Sequence, residues 1–181
     1  PGRAKLGSAC KKGDFGIYVG SWAPFYNLHK MYAGLRDAWL YCDNEKAKSL
    51  FLGFCDWAID LTAGLSDEQM EHMLGNEHGG MNEVLADAYA ITKDEKYLEC
   101  AKRFSHKRLF TPMSQRQDCL DNMHANTQVP KVIGFERISE LSGNEIYHTA
   151  SAYFWDVVTG RRSLAFGGNS RREHFPSNDA C

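Results

Sequence analysis

EHGGMNEVLADAYAITKDEKY, residues 77–97, decides the fold, because a related stretch stands fifty residues before it and another fifty residues after. The register needs no gaps. Leu35, Leu85 and Phe135 share a position, as do Ala38, Ala88 and Ile138, Tyr41, Ile91 and Leu141, and Glu45, Glu95 and Glu145; Phe54, Phe104 and Phe154 close the unit. Units of this period that are pairs of helices cannot bury their apolar faces singly, so neighbours must stack. The spacing therefore predicts an all-α chain of three helical hairpins.

Within the central unit, Met81, Val84, Leu85, Ala88 and Tyr89 follow the i, i+3, i+4, i+7 spacing of one helical face. A short turn comes next. Asn44, Asp94 and Asn144 occupy the N-cap of each second helix, and the glutamate after each stands in the first turn, where the macrodipole favours a carboxylate. Two helices of about four turns on so short a loop must run antiparallel.

Working outward, residues 27–61, 81–110 and 129–158 are the expected hairpins. Residues 1–21, rich in glycine, read as an irregular lead-in. Residues 62–74 read as a connector in which Ser66 and Gln69 can cap one short helix. Thr111-Pro112 is expected to end the second hairpin, residues 114–126 are polar, and Pro130 fits a helical first turn. Residues 161–181 change character to a glycine- and arginine-containing loop.

With 21 Lys plus Arg against 23 Asp plus Glu and no basic block, the chain lacks the electrostatic footprint of a nucleic-acid or anionic-membrane binder, and a neutral partner is expected. No apolar run reaches membrane length. Six cysteines in 181 residues make no disulfide framework; Cys42, Cys55 and Cys100 fall at or beside core positions and read as buried free thiols. No C-x-x-C or H-x-x-x-H spacing offers a self-sufficient zinc site. The abrupt ends suggest a piece of a longer protein, whose bare apolar flanks would favour self-association.

The register also gathers chemistry. Tyr26-Asn27-Leu28-His29, Asn76-Glu77-His78-Gly79 and His124-Ala125-Asn126-Thr127-Gln128 each read as a polar cluster immediately before a first helix. Stacked hairpins point equivalent ends the same way, so His29, His78 and His124 should share one rim. The loop after the third hairpin returns there, bringing Glu173. Asn82, Glu83 and Asp87 fit either a site lining or a polar helix face. Gly79-Gly80 and Gly167-Gly168 are no phosphate loops, since no strand precedes them and no Lys-Ser/Thr follows.

Four stretches in order, WAPFYNLHKMYAGLRDAW, EHGGMNEVLADAYAIT, HANTQVPKVIGFERISEL and GGNSRREHF, resemble the bacterial β-L-arabinofuranosidase families of glycoside hydrolases, 127 and 146. The resemblance implies that the stacked hairpins form about half of an (α/α)6 toroid. It implies a retaining hydrolase of terminal β-L-arabinofuranose on plant glycans, with a zinc-bound cysteine thiolate as nucleophile and a glutamate as acid/base. Matched by motif, Glu173 would be the acid/base, and His29, His78 and His124 would hydrogen-bond the sugar. A glutamic acid can give its proton to the glycosidic oxygen and then activate water. Neutral imidazoles can pair with ring hydroxyls without adding charge.

The family's zinc ligands, a Glu-x-Cys pair and a Cys-Cys pair, match no position through Cys181. The chain alone is therefore expected to lack a complete double-displacement cycle and to be inactive. Its expected partner is an arabinose-containing glycan. Two other readings stay open at this stage: a non-catalytic helical-repeat module that binds a glycan or protein, and a sugar epimerase of α/α architecture using histidine acid and base.

Overall fold

The computed structural model describes residues 23–177. The expected irregular lead-in over residues 1–21 lies outside them, as do Trp22 and residues 178–181 of the last loop. Eight helices are found among the described residues: α1 (Pro24–Cys42), α2 (Glu45–Thr62), α3 (Asp67–Leu74), α4 (Met81–Thr92), α5 (Glu95–Arg103), α6 (Lys107–Ser114), α7 (Ala125–Ser142) and α8 (Glu145–Arg161). The hairpins are α1–α2, α4–α5 and α7–α8. Their first helices stand side by side, α4 between α1 and α7, with second helices packed behind.

The fifty-residue register is visible in the turns themselves. Asp43, Lys93 and Gly143 all turn the chain with left-handed φ of 50°, 60° and 68°. The next residue then caps a new helix: the side chains of Asn44, Asp94 and Asn144 accept from the N–H of Ala47, Lys96 and Ile146. A left-handed C′ residue followed by an Asx cap reverses the chain within two residues and satisfies orphan groups on both sides. The expected box at α3 also forms, Gln69 N–H donating to Ser66 and Ser66 N–H to Gln69.

Packing follows the register. Leu85, Phe104, Phe135 and Ile138 are fully buried. Phe110 meets Phe135 edge-on at 5.1 Å and Tyr147 at 4.4 Å, joining the second and third hairpins through rings. Beside this core runs a charge ladder across all three first helices. Arg36 Nη1 donates to Glu83 at 3.0 Å and to Asp87 at 2.5 Å, and Arg137 Nε donates to the other Asp87 oxygen at 2.7 Å. Glu83 and Asp87 are thus structural partners rather than a site lining.

Several local expectations need correction. The second arm of the middle hairpin is not one helix to residue 110: it breaks after Arg103, where Ser105 and His106 turn into the interior, 3% and 6% exposed. It resumes as α6, which carries Pro112 inside instead of ending there. The first helices of the outer two hairpins start earlier than periodicity suggested, so that Tyr26–His29 lies inside α1 rather than before it, while α4 begins at Met81 as expected. Pro24 opens α1, and His124 caps α7 at Ala125, so Pro130 lies inside α7 rather than in its first turn. Cys55 and Cys100 are buried, but Cys42 is exposed, as are its neighbours Leu40, Tyr41 and Asp43.

Candidate functional site

The last loop reaches the rim through a small scaffold. Phe175 is 1% exposed and packs edge-on against Phe154 of α8, centroids 6.2 Å apart. Its N–H donates to Met123 C=O at 2.9 Å, and its C=O accepts from Asn122 N–H at 3.0 Å. Ala125 N–H donates to Glu173 C=O at 2.8 Å, so both sides of the loop are stitched to the segment that opens α7. Arg162, 2% exposed, clamps the base: it donates to Asp118 at 2.8 and 3.0 Å, to Asp121 at 2.6 Å and to Pro176 C=O.

Residues 171–174 close a tight turn, with paired backbone hydrogen bonds between Arg171 and His174 of 2.8 and 3.1 Å. Its two central residues, Arg172 and Glu173, both have positive φ, 49° and 67°. Turns of this handedness favour Asn-Gly, and a branched-out pair such as Arg-Glu carries steric cost. Positions held in such sparse regions by their surroundings gather at functional sites. Here the cost places the Glu173 carboxylate on the rim, its side chain 80% exposed, with Oε2 3.6 Å from His124 Nε2.

His124 is fixed from its other nitrogen. Nδ1 accepts from Thr127 N–H at 3.2 Å and pairs with the Thr127 hydroxyl at 2.7 Å, capping α7. The ring proton therefore sits on Nε2, facing Glu173. Glu77 Oε1 lies 3.7 Å from the Nδ1 side, and the His174 ring stands edge-on to the His124 ring at 5.3 Å.

His29 and His78 lie deeper, on either side of Gly79-Gly80. The His29 ring rests on both glycines; a Cβ on Gly79 would stand 2.7 Å from Nδ1 and one on Gly80 2.8 Å from Nε2. Only glycine permits so close an approach. Burial, then the charges of Lys30 and Arg36, push His29 down to about 4, so it is neutral at physiological pH. His78, 1% exposed, packs against Phe104 and His106, and burial, reinforced by Lys131 and His106, pushes it well below the ordinary imidazole range. Its Nδ1 contacts Asn76 C=O at 3.4 Å.

Among the described residues, the buried side-chain polar atoms left without a partner are His29 Nδ1 and His78 Nε2. Buried polar atoms are almost always hydrogen-bonded, so orphans call for an explanation, and a ligand hydroxyl is one. The structure thus brings Glu173 and His124 together directly; His78 stands just before α4, and His29 packs on Gly79-Gly80 from within α1.

A cavity of about 370 Å³ opens beside His124, which lines it together with Glu77, Gln128, His106, Arg108 and Lys131, while Glu173, His29 and His78 stand outside its lining. Sequence reasoning missed its floor. His106 hid in what read as a continuous helix, while Lys131 stands in the register where the other units carry Met31 and Met81, an apolar-to-charged exchange that could have been noticed. Asn82, fully buried, donates to Lys131 C=O at 2.8 Å and so supports this floor.

Among the described residues no group of three or more His, Cys, Asp or Glu could hold an ion. Burial raises the Cys55 thiol far above its ordinary range and Cys100 to about 12, the opposite of an activated thiolate. These residues do not fit the zinc centre that the resemblance implies. Among the described residues no helix is long and apolar enough to cross a membrane.

The fold is an all-α stack of helical hairpins in which His124 and Glu173 face each other on one rim. A family model described as the β-L-arabinofuranosidase, GH127 catalytic domain matches residues 13–181, and the chain belongs to that family of glycoside hydrolases. No curated protein matches it.

Proposed function

We propose that the chain supplies the acid/base and sugar-binding rim of a retaining hydrolase that removes terminal β-L-arabinofuranose from plant glycans. The observation that carries this reading is the left-handed turn that holds Glu173 against His124, 3.6 Å from carboxylate to Nε2. Its support is the pair of orphaned nitrogens on His29 and His78, which a furanose could satisfy through its hydroxyls.

In this reading Glu173, protonated, gives its proton to the glycosidic oxygen as the anomeric carbon passes from the aglycone to a nucleophile that the described residues do not supply, and the aglycone leaves as an alcohol. The resulting carboxylate then accepts a proton from the water that releases the sugar. His124, holding its proton on Nε2, donates toward that carboxylate while it is ionised. His29 and His78, neutral and buried, orient the ring without competing for the proton. Zinc and its thiolate belong to this reading only as the family's equipment, and the described residues offer no ligands for them.

The test is turnover by the full-length protein. Glu173→Gln should lower turnover of an arabinofuranosyl glycan by about 10²–10⁴-fold, the span of general acid–base catalysis. An aryl arabinofuranoside, whose phenolate leaves without help, should suffer less in the glycosylation step. Unchanged glycan turnover would instead favour a non-catalytic binding module.

A further inference from the structure

The floor of the cavity carries a chemistry that neutral-sugar binding does not use. Lys131 is 1% exposed, yet it lines the cavity. Its Nζ donates to Gln128 Oε1 at 3.0 Å and to His106 Nδ1 at 2.9 Å. An ammonium has three N–H bonds, so one remains for a ligand. Because His106 accepts at Nδ1, its own proton sits on Nε2, facing Glu71 at 3.7 Å. A carboxylate–imidazole–amine chain thus aims a fixed donor into the cavity.

Arg108 lines the same space from the start of α6, exposed and with no ion-pair partner among the described residues. It is near enough to act on the buried groups: burial lowers Lys131 to about 7 and His106 to about 3, and the Arg108 charge adds to both effects. Two acids pull the other way on Lys131, Glu71 and Glu77. Glu71 is engaged elsewhere, whereas Glu77 itself lines the cavity. Glu71 accepts from Lys107 N–H at 2.8 Å and faces His106, and Glu77 stands beside His124. Among the described residues no carboxylate forms an ion pair with Lys131 or Arg108.

We infer that this cavity binds a carboxylate carried on a sugar ring, so that the glycan recognised at the rim includes a hexuronic acid residue held by Lys131 and Arg108. The inference rests on the glycan-hydrolase reading above and deepens it. A planar guanidinium can grip a carboxylate with two parallel hydrogen bonds while the buried amine contributes a third, charge-assisted one. An anion between the two cations relieves their repulsion and restores the Lys131 proton. At pH 8 the free amine is mostly neutral, so binding should take up close to one proton there and hardly any at pH 6.

The experiment is calorimetric titration of the full chain with D-glucuronate, D-glucose and acetate, at pH 6 and pH 8, in buffers of different ionisation enthalpy. Glucuronate should bind roughly tenfold or more tightly than either glucose or acetate, with proton uptake at pH 8. Arg108→Gln, at an exposed position that leaves folding intact, should weaken glucuronate about tenfold. Lys131→Met should abolish the proton uptake. If Lys131→Met fails to fold, the uptake by the unaltered chain and the loss in Arg108→Gln decide.

Equal binding of glucose, no binding of glucuronate, no effect of Arg108→Gln, or acetate binding as tightly as glucuronate would each overturn the inference, the last marking an adventitious anion only. Failure here is separable from failure of the acid/base reading. Glucuronate binding with full turnover in Glu173→Gln removes the latter alone; no glucuronate binding with turnover lost in Glu173→Gln removes only the carboxylate site.

Discussion

Glu173 and His124 meet across 3.6 Å although 49 residues separate them in sequence, one on a left-handed turn and the other capping a helix. The contact exists because Ala125 N–H and Phe175 N–H stitch the two segments together at 2.8 and 2.9 Å. His124 therefore has two jobs on its two nitrogens, helix cap on Nδ1 and carboxylate partner on Nε2.

Those jobs separate by mutation. His124→Ala should cost about 1 kcal/mol of stability through the lost cap, whereas His124→Asn keeps a good cap. Both remove the Nε2 donor. In the full-length protein both should lower kcat/KM alike, by roughly tenfold or more, because the imidazole N–H facing the Glu173 carboxylate at 3.6 Å is lost. Thermal melting beside kinetics checks this, and an Asn variant with undiminished kcat/KM would remove His124 from the site.

Glycines at equivalent register positions should respond in opposite directions. A Cβ on Gly134 would stand 2.2 Å from the Asn82 side chain, itself fully buried, while a Cβ on Gly34 meets nothing within 4 Å. Gly134→Ala should destabilise by roughly 1–3 kcal/mol through overpacking. Gly34→Ala, inside α1, should stabilise by about 0.5–1 kcal/mol from lost chain entropy. Urea midpoints of the two variants give the comparison directly.

Acid should unfold the chain through its buried imidazoles. His29 and His106, lowered to about 4 and about 3, stay neutral in the fold down to those values, while in the unfolded chain they take up protons below about 6.5. The unfolded state thus binds more protons in this window, so stability falls as pH drops from 6.5 toward 4, by up to about 1.4 kcal/mol per pH unit for each histidine. Lys131, lowered to about 7, makes the unfolded state the greater proton binder between 7 and 10.5, so its unfavourable contribution fades as pH rises through that range. Denaturant titrations from pH 4 to 10 should show both slopes, and His29→Gln should flatten the acidic one.

Arg162 should matter to both stability and activity. Replacing it by Met leaves Asp118, whose side chain is only 14% exposed, without its buried counter-charge. A loss of about 3–5 kcal/mol follows from breaking such a pair on one side. Because the same guanidinium holds Pro176 C=O, the turn bearing Glu173 loses its anchor as well. Arg162→Lys keeps the charge but not the fork, and should fall between the two in melting temperature.

Much of the fold was readable because its determinants are local. Asn44, Asp94 and Asn144 cap helices in isolation from the rest of the chain, and the apolar spacing around Leu85 needs only the helical period. The break at Ser105-His106 was not readable. It is made by distant partners, Lys131 and Glu71, that draw His106 inward against a sequence which is locally helical throughout.

By itself, then, the sequence determined three hairpins in register, the direction in which their ends point, and which histidines stand at those ends; short-range caps, turns and periodicity suffice for that. Only the tertiary structure decided that Glu173 sits in a left-handed turn against His124, that His29 and His78 keep unpartnered nitrogens, and that Lys131 is buried on the cavity floor. Such features depend on contacts between residues far apart in the chain, where burial and charge rather than spacing set the outcome.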